Sequence, residues 1–475
     1  MEKLFKLKEN GTTVRTEVVA GLTTFMTMAY IIALNPGLLT NFDVGSSLWN
    51  AVFVATCLAS FVGTACLAFM ANKPFAMAPG MGLNSFFASV AASIAGIAGV
   101  SYLQGFQAAL VIILVEGIVF LLLSILNIRE KIVTAIPIGI RIGVAPAIGL
   151  MLMNIGLGSN AGVYNAEGTP FYAMRDFFGA LTAASIKEQL GDAWQTMVLT
   201  VATMLIGLFI IIALAHKKVK GAVLFGMLIA SGLNWAGQAI FLKTNPFAKL
   251  EGASWIPPMG DMFQNTFFKF NFSVLAEIGW VTVLTIVITF CIIDMFDTIG
   301  TLIGTAHRAG MVDKEGNMPQ MKEALISDAV GTVVGSVTGT STVTTFIESA
   351  AGVEEGGRTG LTALTTAVLF LLALFLSPVA AIIPPAATSA ALIYVGILML
   401  SGLKKVDFDD ITQTVPVALM LLSMPVSGSI GHGIGLGLIA YTVIMLFTGK
   451  AKKVPVLTYI LSLIFLVKFF VAARI

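Results

Sequence analysis

Apolar runs of about twenty residues recur from Val18 to the end of this 475-residue chain, and they constrain its fold more than any other feature. A bilayer core about 30 Å thick takes about 20 apolar residues per crossing helix. Barrel strands would alternate with period two, whereas these runs are continuously apolar, so the pattern predicts an all-α polytopic membrane protein. With 57% hydrophobic and 11% charged residues and a mean hydropathy of +0.94, the chain has too much apolar surface for one soluble core. Its 27 basic and 25 acidic residues nearly cancel, so charge gives no sign of a nucleic-acid partner; the partner to expect is the lipid bilayer.

The opening MEKLFKLKEN is charged, and the next apolar segment runs to Asn35 and Pro36 without a small-residue cleavage site. That is a retained helix rather than a signal peptide. Cys57, Cys66 and Cys291 all fall inside apolar runs and read as small packing residues, with no disulfide or zinc spacing. Spans are expected near 16–39, 49–71, 79–96, 105–126, 133–157, 196–215 and 221–242, then near 274–304, 322–338, 341–353, 359–383, 386–403, 411–430 and 432–448. The chain thus divides into a first unit (1–242), a polar loop (243–273), a second unit (274–448) and a tail (449–475) whose apolar segment, 455–472, either crosses or lies along the surface.

Basic residues should concentrate in cytoplasmic loops. With a cytoplasmic N-terminus, nineteen fall inside and five outside, these being Arg175, Lys187, Lys243, Lys249 and Lys269 in the two longest loops; Arg141, Lys468 and Arg474 have no clear side. The imbalance supports about fourteen spans. Seven plus seven suggests two repeats, and an odd number per repeat inverts the second copy, as in many secondary transporters. The third span, FAMAPGMGLNSFF, then corresponds to the tenth, GTSTVTTFIESAAGVEEGG. Both are short and interrupted, and broken backbone is tolerated at membrane depth only where it lines a cavity.

Ionisable residues inside spans cost about 2.5 to 3.5 kcal/mol each on insertion scales, so each needs a reason. Asp294 and Asp297 sit three apart on one face of the eighth span, and Glu348 sits beside the Thr-rich break of the tenth. Carboxylates gathered in low dielectric suit a group that takes up and releases a proton. Bland readings stand beside these. Asp297 would also serve by bonding the backbone near Gly300 and Thr301, and Asn84 by satisfying its own broken segment. Glu116 and Arg141 read better as a structural ion pair or in an interface role, Asp328 as a helix cap or anchor, His307 with Arg308 as topological, and His432 as a turn residue. No HExxH, GxSxG or P-loop occurs, so neither a protease, a lipase nor an ATP-driven pump is supported. The Gly-rich GSIGHGIGLG lacks a following Lys and reads as close helix packing.

Five stretches carry a family resemblance: GTTVRTEVVAGLTTFMTMAYIIALNP, APGMGLNSFF, DMFDTIGTLIG, GTSTVTTFIESAAGVEEGGRTGLTA and AAIIPPAATSAALIYVGILM. Together they resemble the AzgA-like purine permeases, a branch of the nucleobase–ascorbate transporter superfamily, across nearly the whole chain. The resemblance implies fourteen spans in two inverted repeats. Spans one to four and eight to eleven form a core, and the remainder form a gate. It also implies that spans three and ten each carry a short strand leading into a half helix at the substrate. The family's Asn, Asp and Glu that hold the substrate match Asn84, Asp294 and Glu348, and its second acid matches Asp297. Related folds are often dimers, which leaves a homodimer open.

Chemistry fits a purine nucleobase. A carboxylate accepts only, and hypoxanthine and guanine offer N1–H, guanine also its 2-amino group. Glu348 is the expected acceptor, with main-chain groups near Gly82 and Ile347 pairing other ring atoms. Asp294 either meets the imidazole side or carries the coupling proton, with Asp297 and Glu348 completing the proton-coupling set. Phe86 and Phe346 are candidates to stack on the ring, worth about 1 to 3 kcal/mol per base if they do, with a lipid or packing role as the alternative. The expectation is a proton symporter importing purine nucleobases by alternating access, hypoxanthine and guanine ahead of adenine, with no cofactor beyond the proton gradient, in a bacterial inner membrane. The alternatives are an anion or other small-solute exchanger of the same fold, or a channel.

Overall fold

A computed structural model describes residues 2–126, 136–160, 187–188, 191, 193–312 and 318–472. The start of the expected fifth span (133–135) and the basic residues Arg129, Lys131, Arg175, Lys314 and Arg474 lie outside the described residues. The chain is a polytopic all-α membrane protein. After the short α1 (Glu2–Phe5), the first span is α2 (Val14–Met28) followed by α3 (Ile31–Leu39), the two separated by a turn at Ala29 and Tyr30. Then come α4 (Ser47–Met70), β1 (Met77–Pro79), α5 (Met81–Ala98), α6 (Tyr102–Ile125), α7 (Ile138–Ile155), α8 (Ala193–His216) and α9 (Ala222–Gly237).

In the second unit the order is α10 (Met259–Asn265), α11 (Phe272–Glu277), α12 (Trp280–Arg308), α13 (Met321–Thr338), β2 (Val343–Thr345) and α14 (Ser349–Glu354). It continues with α15 (Gly360–Leu372), α16 (Ser377–Ala381), α17 (Pro385–Met399), α18 (Ile411–Ser427), α19 (Ile430–Phe447) and α20 (Val456–Ala472). Among the described residues eleven helical segments are long and apolar enough to cross a bilayer by themselves. Local chemistry sets their ends. Ser46 caps α4 by accepting from the Trp49 N–H at 3.2 Å, and Ser101 with Gln104 forms a reciprocal capping box on α6. Gly99, left-handed at φ 64°, closes α5.

The two broken spans are unequal, contrary to the expectation that both are short. After β1, the helix α5 runs 18 residues, because its sequence stays apolar as far as Gly99; after β2, α14 stops after six, where Glu354, Glu355, Gly356 and Gly357 end it. The eighth span begins later than expected, since Gly279 (φ +82°) separates α11 from α12. His432 lies in the first turn of α19, not in a turn between helices.

The helices sort into two packed groups. In one, α4 packs on α13 and α15, α13 also on α6, and α15 on α2; in the other, α7 packs on α18 and α17, and α8 on α9 and α17. Small residues set the closest approaches. A Cβ added at Gly360 would lie 2.1 Å from the Ala68 carbonyl oxygen, and one at Gly149 would lie 2.6 Å from that of Gly396. The tail helix α20 runs antiparallel along α19: Ser462 and Thr442 hydroxyls meet at 2.8 Å, Phe465 fills the space at Gly435, and Phe469 packs on His432 with ring centroids 5.6 Å apart.

Candidate substrate site

Two three-residue strands cannot hold together alone, and at membrane depth each backbone group needs a partner. β1 and β2 pair antiparallel with Met77 opposite Thr345, Ala78 opposite Thr344 and Pro79 opposite Val343. Bonds from Gly80 N–H to the Thr342 carbonyl (3.1 Å) and from Phe346 N–H to the Ala76 carbonyl (2.9 Å) extend the ladder at both ends. Threonines supply the remaining partners. Thr64 of α4 accepts from Met77 N–H at 2.9 Å and donates to its carbonyl at 3.0 Å; Thr332 of α13 accepts from Val343 N–H and donates to its carbonyl, both at 3.3 Å.

Asn84 belongs to this scaffold. Its Nδ2 donates to the Pro79 carbonyl at 3.2 Å, and its Oδ1 accepts from the Ser341 hydroxyl. Both ends of the amide are therefore engaged by protein across the junction of the two breaks. Asn35 extends the same network, donating to Thr56 at 2.7 Å and Thr340 at 2.9 Å, and Glu116 accepts from Thr342 at 2.7 Å.

Beside the strands lies a cavity of about 100 Å³ whose wall includes Tyr30, Gly80, Asp297, Thr344, Phe346 and Glu348. It adjoins a second of about 160 Å³ that shares Gly82, Asp297, Thr301 and Met399 and adds Arg141. The Tyr30 hydroxyl donates to Glu348 Oε1 at 2.7 Å and so fixes that carboxylate at the cavity wall. Of the two acids on α12, Asp297 reaches the cavity wall, while Asp294 is fully buried behind it, accepting from the Thr298 hydroxyl at 2.9 Å. The same hydroxyl lies 2.9 Å from Asp328 of α13.

The comparison with known sequences gives the family. The permease family profile matches residues 15–430. The chain belongs to the permease family. Its relatives include the adenine permease AdeP of Escherichia coli, 37% identical over 98% of this chain and 95% of that one. The guanine/hypoxanthine permease PbuO of Bacillus subtilis is 36% identical over 98% of this chain and all of that one. The resemblance read from the five motifs is borne out by this membership. In structure the permease is similar to the transmembrane domain of the cyanobacterial bicarbonate transporter BicA, with a TM-score of 0.60, 16% identity, and 90% and 97% of the two chains covered, a likeness of fold alone.

The cavity uses some of the expected residues and not others. Gly82, Asp297, Phe346, Ile347 and Glu348 line it; Asn84, Asp294 and Phe86 do not. Phe86 instead packs on Phe290 with centroids 4.5 Å apart. Arg141 stands at the cavity rather than beside Glu116, and among the described residues it has no ion-pair partner. Two groups escaped the sequence reading. Tyr30 sits in MAYII with no spacing relation to Glu348. Glu17, in the first turn of the first span, looks like a surface charge, yet it is fully buried and accepts from the Arg358, Thr359 and Thr362 N–H groups at 2.9, 3.2 and 3.1 Å. It thereby satisfies the buried N-terminus of α15.

Proposed function

We propose that this permease imports purine nucleobases by proton symport, with hypoxanthine and guanine preferred over adenine. The observation that carries the reading is the joint presentation of Glu348 and Asp297 to one cavity beside paired broken spans. Glu348, steadied by Tyr30, accepts the N1–H of a 6-oxopurine and the 2-amino group of guanine. Adenine offers an acceptor at N1 and suits an ionised carboxylate less. Main-chain groups around Gly82 and Ile347 pair the remaining ring atoms, and Phe346 flanks the ring. Asp294, Asp297 and Glu348 form the proton-coupling set, and the proton gradient is the sole driving agent.

Transport follows by alternating access. The group containing α2 to α6 and α12 to α15 carries the site and moves against the group of α7 to α9 and α17 to α19, within two inverted seven-span repeats spanning 1–242 and 274–448. The N-terminus is cytoplasmic in a bacterial inner membrane. The relatives' names as adenine and guanine/hypoxanthine permeases support the substrate class.

An anion exchanger is the rival worth testing, because Arg141 places a cation at the cavity and the fold resembles that of a bicarbonate transporter. Uptake of labelled hypoxanthine challenged with guanine, adenine, xanthine, uracil and bicarbonate separates the two. Competition by guanine first, adenine weakly and bicarbonate not at all is the expected order; competition by bicarbonate alone would replace the purine reading with the anion one.

A further inference from the structure

The buried acids of α12 and α13 share one hydroxyl, and the permease's substrate contacts leave that arrangement unexplained. Thr298 Oγ1 lies 2.9 Å from Asp294 Oδ1 and 2.9 Å from Asp328 Oδ1, and all three residues are fully buried. A hydroxyl has one hydrogen to donate. If it donates to one carboxylate, the second contact becomes a good hydrogen bond only when the other acid carries a proton and donates to the hydroxyl oxygen. Two ionised carboxylates across a single hydroxyl in a span would repel in low dielectric. A carboxylic acid, a hydroxyl and a carboxylate in a row satisfy both contacts of the Thr298 hydroxyl.

The geometry points to Asp328 as a proton-coupling residue, sharing the transported proton with Asp294 through Thr298. This rests on the symport reading and adds its storage site. Asp297, one turn along α12 from Asp294 and on the cavity wall, links the pair to water. A proton from the outer water binds the Asp297 carboxylate and passes to the pair. Asp297 returns to the carboxylate, and the same steps reversed deliver the proton inside. No other reactant is needed. The ionisable groups around the pair are Asp297 on α12, Glu348 and Tyr30 across the cavity, Glu116 on α6, Arg141 on α7, and Lys322 with Glu323 at the start of α13.

The test uses the full-length protein in proteoliposomes and two readings per variant, namely hypoxanthine accumulation driven by a pH gradient and hypoxanthine counterflow at equal pH. Asp328→Asn and Thr298→Val are expected to lower accumulation by about tenfold or more while counterflow stays within about threefold. Thr298→Ser, which keeps the hydroxyl, is expected to retain both. Accumulation by Asp328→Asn equal to wild type overturns the inference. So does parallel loss of accumulation and counterflow in Asp328→Asn and Thr298→Val, the mark of a structural role. A wild-type protein that exchanges hypoxanthine but never accumulates it removes the symport reading, and this inference with it.

Discussion

Thr64 and Thr332 hold the first residues of the two strands in the same way, each accepting from the N–H and donating to the carbonyl of its partner, Met77 or Val343. The residues just before them also meet. A Cβ built on Gly63 would lie 3.4 Å from Gly331 Cα, and one on Gly331 3.3 Å from Gly63 Cα. Helices α4 and α13 therefore cross glycine on glycine, and each presents its threonine to the strand of its own half. The site is built on this crossing.

Removing either hydroxyl leaves a buried N–H and a buried carbonyl without partners, at about 1–3 kcal/mol for each. Thr64→Val and Thr332→Val are expected to lower the thermal midpoint of the detergent-solubilised protein by several degrees, measured by the loss of monodisperse protein on heating. Thr64→Ser and Thr332→Ser, which keep both bonds, are expected to stay near wild type.

Glycine at position 80 is required by the cavity wall. A Cβ there would lie 2.7 Å from Thr344 Cγ2 and 3.2 Å from Asp297 Oδ2, whereas at Gly96 it would meet nothing within 4 Å. Gly80→Ala is expected to cut hypoxanthine uptake by about tenfold or more, in line with misplacement of a group beside the reacting partner. Gly96→Ala in the same assay is expected to keep normal uptake, and both proteins should reach the membrane in equal amounts.

Glu17 is a stabilising residue and is not part of the wall that holds Glu348 and Asp297. Hydrogen bonds to charged groups contribute roughly 1.5–3 kcal/mol, and three main-chain donors at and just before the start of α15, those of Arg358, Thr359 and Thr362, depend on this one carboxylate. Glu17→Ala is expected to reduce the folded yield and thermal midpoint sharply, with Glu17→Gln intermediate because one acceptor oxygen remains. In the protein that does fold, the hypoxanthine KM is expected to be unchanged; a raised KM with normal yield would place Glu17 in the transport cycle instead.

The tail helix sets the side of the C-terminus. Contacts of Ser462 with Thr442, Phe465 with Gly435 and Phe469 with His432 run the length of the α19–α20 pair, and 17 helical residues rise about 25 Å. If α19 crosses the bilayer, α20 recrosses it. A reporter fused after residue 475 is expected to lie on the face opposite the Lys450, Lys452 and Lys453 turn, and a signal from the same face would place α20 along the membrane surface.

Much of this was legible in the sequence because bilayer physics leaves few options. Continuous apolar runs required helices, and Pro79, Gly80 and the Thr-rich stretch from Thr340 to Thr345 marked the breaks. Depth within a helix face was not legible. Asp294 and Asp297 are three apart and share a face, yet one turns to Asp328 and the other to the cavity, because which way a face points depends on the neighbouring helices. The family resemblance implies a substrate contact for Asn84, whereas the residue by itself suits the broken segment, as its bond to Pro79 shows; the bond from Ser341 appears only when the two halves are brought together. Tyr30, Glu17 and the paired threonines act on residues more than 300 positions away or on strands too short to announce themselves, so no local pattern exposes them.

The central claim is that purine and proton enter together through the cavity of Glu348 and Asp297. It is tested most directly by adding hypoxanthine to lightly buffered, de-energised proteoliposomes and recording external pH alongside labelled hypoxanthine entry. Alkalinisation that keeps pace with entry is expected in the wild type and is expected to disappear in Asp297→Asn. Hypoxanthine entry with no change in external pH, or no entry at all, would contradict it.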